Sequence, residues 1–331
     1  MSDNAAARKN IPPILLAPSP HIVSGVNSAA LMRNMLIALA PVSVFGVVIF
    51  GLPALLNIAV AVAAAILGES LFRLATRQPI RAKDLSAGIS GLLLALIIPP
   101  STPLWMTALG AVFAVVVAKE FFGGLGANVF NPALTGRAFL LMSFPAAMTT
   151  WHEPQNGFPI ALPDAISGAS ALETLNSGGS FDSSYWQTAR EMFLGYHAGC
   201  IGETSILLIL AAFIFLLAVK TIDWRTPVSM ILSAVAAAFI LGLDPLFAVL
   251  GGGLIFGAVY MATDYVTAPV TARGKIIFGI GAGLITVFIR KWGNYPEGVS
   301  YAILIMNCTT PFLNRLLGRK YGYIPKKRAA Q

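Results

Sequence analysis

Ten apolar runs, separated by short stretches of charge, proline or glycine, dominate this chain and leave little freedom in its fold class. They lie near residues 30–50, 53–75, 85–99, 104–121, 130–149, 203–219, 228–243, 246–263, 276–290 and 299–317. A helix crossing the hydrocarbon core needs about 20 apolar residues, and backbone placed in lipid must satisfy its own hydrogen bonds, which a helix does internally. The pattern predicts an all-α integral membrane protein with about ten transmembrane helices. Only 11% of the side chains are charged, under half the roughly 25% of soluble domains. Ten spans use on the order of 200 positions, which leaves no room for a second catalytic domain or a dinucleotide-binding module.

Orientation follows from the positive-inside rule, which counts Lys and Arg in loops. With both termini inside, 19 of the 22 Lys and Arg fall on the inner side and only Arg190, Arg290 and Lys291 on the outer side. The net charge of +8 is then a topology signal and not a nucleic-acid footprint. For the basic pair Arg290–Lys291 the default reading is solvation at a helix end. The expected organisation is a cytoplasmic N-terminal tail (1–28), a first five-helix half (29–149), an extracytoplasmic loop (150–202), a second five-helix half (203–318) and a basic cytoplasmic tail (319–331). Prolines 12, 13, 18 and 20 break the first tail, and no signal-peptide pattern is evident. Two cysteines, Cys200 and Cys308, are too few for a disulfide framework, a cysteine-ligated metal site or an iron–sulfur cluster. No metal site and no catalytic residue is assigned.

Glycine-rich segments recur in both halves, GGLGANVFNPALTGR at 123–137 and GGGLIFG at 251–257 leading into MATD. An odd number of spans per half makes any repeat inverted, an architecture in which broken helices leave a site near the midplane.

Polar residues within spans are functional hypotheses by default. Asn128 and Asn131 are three apart, so they share a face if helical and could hydrogen-bond a heteroaromatic edge; helix capping is the plainer reading. Asp264 sits at an inner helix end, where it either serves a ligand or neutralises Arg273 or Lys275. Glu203 precedes the sixth span, where an N-cap carboxylate is the plain reading. Small residues at 86–91 permit close helix approach. In the acidic outer loop, Asp164 lies upstream of Ser167, Gly168, Ala169 and Ser170. A hydroxyl among small neighbours is accessible to a modifying enzyme, although such a segment is commonly only a turn.

Taken in order, SPH at 19–21, DLSAGISGLLLALIIPP, FGGLGANVFNPALTGR, DAISGAS, GETS at 202–205, MATDYVTAPVT at 261–271, IRKWGNYPEGVSYAILIMN at 289–307 and PFLNR at 311–315 resemble the family that unites RnfD of the Rnf complex with NqrB of the sodium-pumping NADH:quinone reductase. The short N-terminal tail is closer to the Rnf type. The resemblance implies a membrane flavoprotein subunit that relays electrons between ferredoxin and NAD and couples this to H⁺ or Na⁺ transport. It implies FMN joined through its phosphate to Ser170, where the family more often has threonine, with Asp164, Ser167, Gly168 and Ala169 as the recognition pattern. It further implies a non-covalent riboflavin or second FMN near Asn128, Asn131 and Asp264. The implied partners are the other Rnf proteins (RnfA, RnfB, RnfC, RnfE and RnfG), a flavin transferase and membrane lipid, in a bacterial or archaeal cytoplasmic membrane, with no role for nucleic acid. A polar-solute channel or transporter, free of covalent chromophore, is the competing class for two five-span halves with broken helices. A structural anchor for redox partners, without a cofactor of its own, is a third.

Overall fold

The computed structural model describes residues 27–79, 84–154, 158–159, 185–293 and 298–318. Among them the fold is helical and contains no strand.

Apolar composition makes the long elements, which carry Pro41, Pro53 and Pro311 within them, and glycine or paired prolines place the interruptions. The first helix, α1 (Ser28–Ala75), starts on an Asn27 side chain that accepts the Ala30 N–H, and it covers the first two predicted spans. Its break is at Gly51 (φ 67°, ψ −145°), a left-handed conformation that glycine adopts without steric cost. A second constraint acts there: the Leu52 N–H donates to the Pro159 carbonyl at 2.9 Å, and a Cβ on residue 51 would collide with that carbonyl.

Helix α2 (Ser86–Leu96) has 11 residues, about 16 Å at 1.5 Å per residue, and the chain then runs into Pro99 and Pro100. Helix α3 (Leu104–Val112) continues through a π turn (Phe113–Val117) into a 3₁₀ turn (Glu120–Phe122). Beyond lie α4 (Pro132–Ser143), α5 (Pro145–Met148), α6 (Tyr185–Leu194), α7 (Ile206–Ala218) and α8 (Arg225–Ile240). The predicted eighth span is broken into α9 (Pro245–Leu250), α10 (Leu254–Phe256) and a second π turn (Gly257–Met261). The fold closes with α11 (Ala272–Trp292) and α12 (Val299–Leu317).

Ser28–Ala75, Leu104–Phe122 and Ala272–Trp292 are long and apolar enough to cross a membrane; Ser86–Leu96, Ile206–Ala218 and Arg225–Ile240 are apolar but shorter. Packing is densest within each predicted half, α1 with α2 and α3, α11 with α8 and α12. On α11, Gly279 and Gly283 lie against Ser229 and Ser233 of α8, with backbone so near that a Cβ at either glycine would overlap. Where apolar surface faces lipid, such small-residue contact supplies the van der Waals packing that hydrophobicity cannot.

Both halves repeat one device. A helix opens into a π turn, closed by Ala118 N–H to Phe113 C=O at 3.3 Å and by Ala262 N–H to Gly257 C=O at 2.8 Å. An irregular stretch follows, and a new helix then starts on a side-chain cap, Asn131 for α4 and Thr271 for α11. Asn131 Oδ1 accepts the N–H groups of Ala133 and Leu134, and Thr271 Oγ1 accepts that of Gly274 at 3.1 Å.

The structure corrects the charge count in one respect. Arg73, Lys119, Arg137 and Arg290 are buried, so they cast no vote as loop charges; sixteen against two remain in the sequence, with the same bias. The reading of Arg290 as a solvated helix end is also overturned, since it is only 4% exposed.

Candidate functional site

The two irregular stretches meet in one cavity. Its walls come from the start of α1 (Leu31, Met32, Met35), the start of α2 (Ser86, Ile89, Ser90, Leu93), the segment after α3 (Lys119, Leu125, Asn128, Asn131, Pro132), the turn after α7 (Thr221, Ile222) and the second π turn with its continuation (Tyr260, Thr263, Asp264, Tyr265, Val266). These are all segments that the sequence places toward the inner side. The space within the cavity, together with the solvent open to its mouth, is about 700 Å³, and the lining has the usual make-up of small-molecule sites, apolar walls with a few polar groups.

Each polar group is oriented locally. Asn131 caps α4 through Oδ1, so its NH₂ is the part left for other contacts. The expectation that Asn128 and Asn131 share a face through helical spacing is not met, because the chain between them is irregular. They reach the same cavity all the same, with Asn128 Nδ2 donating to the Phe130 carbonyl at 3.1 Å. Asp264 neutralises neither Arg273 nor Lys275: its oxygens accept the Val266 N–H at 3.2 Å and the Thr267 hydroxyl at 3.1 Å. Tyr260, fully buried, donates its hydroxyl to the Ala38 carbonyl at 3.0 Å and fixes the second half against α1.

Lys275 pairs instead with Asp223 at 3.1 Å, and Arg225 meets the same carboxylate at 2.8 Å. Burial alone would raise the Asp223 carboxyl, but the Arg225 N–H, the Lys275 ammonium and the charge of both basic side chains hold it below the usual carboxylate range.

Behind the cavity lies a cluster that composition gives no reason to expect. Glu69 and Arg73, one turn apart on α1, contact at 3.4 Å; Arg73 Nη2 reaches Glu120 at 3.2 Å and Lys119 Nζ reaches Glu69 at 2.8 Å. Lys119 also donates to the Ser86 hydroxyl at 2.6 Å, which in turn donates to Asp84 at 2.8 Å. All four charged side chains are at most 5% exposed. Two acids and two bases cancel, which is the condition for tolerating charge away from water. Gly124 (φ 88°) closes over it, since a Cβ there would sit 2.7 Å from Arg73 Nη2. The sequence does carry a signal for this cluster: Glu and Arg four apart inside an apolar run, and a Lys–Glu pair shortly before a glycine cluster.

At the opposite end of the bundle a tighter pocket is lined by Leu96, Arg137, Cys200, Glu203, Gly252, Gly253 and Ser300, among others. Arg137 donates to the Ser300 hydroxyl at 3.1 Å and to Cys200 Sγ at 3.7 Å. Glu203 does not cap α7; Ser205 does, and Glu203 Oε1 accepts the Cys200 N–H at 2.8 Å. Arg290 donates to the carbonyls of Ala248, Gly251 (3.0 Å) and Gly252 (3.1 Å), just past the end of α9. Asp164, Ser167, Gly168, Ala169 and Ser170 lie outside the described residues.

Residues 15–322 match the model of the NQR2, RnfD, RnfE family. The chain is 39% identical over 321 residues to the D subunit of the Na⁺-translocating ferredoxin:NAD⁺ oxidoreductase complex of Acetobacterium woodii, covering 96% of this chain and 98% of the relative. It is 40% identical over 326 residues to the D subunit of the proton-translocating ferredoxin:NAD⁺ oxidoreductase complex of Clostridium ljungdahlii, covering 94% and 96%. It is 38% identical over 323 residues to the D subunit of the ion-translocating oxidoreductase complex of Stutzerimonas stutzeri, covering 88% and 91%.

Proposed function

Because the chain belongs to the NQR2, RnfD, RnfE family, we propose that it is the RnfD-type membrane component of an ion-translocating ferredoxin:NAD⁺ oxidoreductase. The observation that carries this is near full-length identity of 38–40% to three proteins named as D subunits of such complexes. It acts with RnfA, RnfB, RnfC, RnfE and RnfG in a cytoplasmic membrane, both termini inside. The Na⁺-named and proton-named relatives are equally similar, so identity does not choose the ion.

Ser170 carries FMN as a phosphoester of its hydroxyl, installed by a flavin transferase that recognises Asp164 and the Ser167-Gly168-Ala169 run. A second, non-covalent flavin occupies the inner cavity. The residues there suit an isoalloxazine: apolar walls for the ring, the Asn131 NH₂ and Lys119 as donors, and the Asn128 carbonyl and Asp264 as acceptors. When bound, the flavins supply the one- and two-electron chemistry, and the protein sets position and electrostatics. Residues of both halves would hold the ring, which would tie it to both broken helices.

The test is ultraviolet fluorescence of the chain on a denaturing gel after expression with its complex and a flavin transferase. The expected outcome is a fluorescent band that Ser170→Ala abolishes and Ser170→Thr retains. A band that persists in the alanine variant rejects the attachment site. No band in the parent, with the transferase active on another substrate, rejects the covalent flavin.

A further inference from the structure

The inner cavity is lined by one ammonium and one carboxyl group, from different halves of the chain. Asp264 belongs to the second half, and its oxygens are held by Val266 and Thr267. Lys119 belongs to the first half and stands where cavity and ion cluster touch, lining the one and belonging to the other. It is 1% exposed. Glu69 and Ser86 take two of its N–H groups; an ammonium has three. Its position is over-determined, since the carboxylate that holds it is itself held by Arg73 at 3.4 Å, and Arg73 by Glu120. The ammonium therefore cannot swing toward water, and a ligand in the cavity meets a fixed donor.

Resting on the reading of this cavity as a flavin site, we propose that Lys119 is the positioning residue that makes the site bind the reduced ring more tightly than the oxidised one. The chemistry is that of a preorganised cation beside a group whose charge changes. Two-electron, one-proton reduction turns the neutral isoalloxazine into an anion, with electrons from the carrier named for the complex, ferredoxin. A fixed N–H⁺ donor favours that anion, as an opposite charge within about 4–6 Å shifts an ionisation by roughly 1–3 pK units. Glu69 cancels the net charge of Lys119 at long range but leaves the direction of the N–H donor, which is what a ring edge at contact distance feels.

The test uses the assembled complex in a Ser170→Ala background, where covalent flavin gives no signal, with riboflavin as the probe. Dissociation constants are measured for oxidised riboflavin and, anaerobically, for dithionite-reduced riboflavin. Lys119→Met alone leaves Glu69 buried without its partner, so the informative variant is Lys119→Met with Glu69→Gln, which keeps the cluster neutral. The parent is expected to prefer the reduced form, the double variant to lose on the order of tenfold of that preference, and Lys119→Arg with native Glu69 to retain it. Equal preference in parent and double variant, with riboflavin bound by both, overturns the role of Lys119 and leaves the cavity reading standing. A parent that binds riboflavin in neither form overturns both.

Discussion

The two ends of the bundle bury charge in different ways. At the predicted inner end, Glu69, Arg73, Lys119 and Glu120 pair side chain to side chain and stand behind the ligand-sized cavity. At the other end, Arg290 donates to three backbone carbonyls at the break between α9 and α10, Arg137 donates to a hydroxyl and a thiol, and the buried Glu203 carboxylate lies within electrostatic reach of both cations. The first arrangement faces a ligand space with its polarity balanced in advance. The second satisfies carbonyls left over where a helix stops, groups that would otherwise be orphaned in a low-dielectric interior. Burial alone therefore does not mark function; what the charge touches does.

The largest effect expected from this contrast is at Arg290. Arg290→Met strands three carbonyls, each worth about 1–3 kcal/mol when unsatisfied, and takes a cation from the buried Glu203; it should lower the thermal unfolding midpoint of the detergent-solubilised protein strongly. Retention of non-covalent flavin by the protein that remains folded should be unchanged; loss of flavin at full stability would erase the distinction between the ends. Next is Glu120→Gln, which removes one acid from the neutral cluster. Arg73 keeps Glu69, so the cost should fall at or below the roughly 3–5 kcal/mol of a broken buried pair, read as the same midpoint, and binding at the cavity should weaken in step. A midpoint shift without any change in binding would make the inner cluster as purely structural as Arg290.

The smallest effect is at Asp223, in the turn beside the inner cavity but outside its ion cluster, and partly exposed. Its folded-state pKa lies below its unfolded value, so the carboxylate contributes stability above the unfolded pKa of about 3.9, and that contribution is lost as pH falls through the folded value. Asp223→Asn should cost about 1 kcal/mol or less at pH 7 and flatten the acid limb of stability below about pH 4. An acid limb identical to that of the parent would assign it to other carboxylates.

Much of the fold is legible in the sequence because periodic apolar runs and proline–glycine punctuation act locally. The Gly51 break, the stop at Pro99–Pro100 and the caps at Asn131 and Thr271 can be traced to residues at or beside the break. The cavity is half legible. Asn128, Asn131 and Asp264 stand out as polar residues in costly places, and they do line one space, although an irregular stretch and not helical spacing unites the asparagines. For Glu69, Arg73, Lys119 and Glu120 the sequence signals only the local parts, Glu and Arg four apart and the Lys–Glu pair; the pairing between positions about 50 apart depends on tertiary approach that no local pattern encodes. Arg290 eludes a local reading for the same reason: its acceptors lie about 40 residues upstream.

The Gly51 break gives the first stretch of α1 a mechanical character. Residues 28–50 form a rod about 35 Å long. One tip, at Leu31, Met32 and Met35, forms part of the cavity wall; the other is stitched through Leu52 to the carbonyl of Pro159. A displacement of Pro159 is thus passed, through its hydrogen bond to Leu52 and along this helix, to one wall of the cavity.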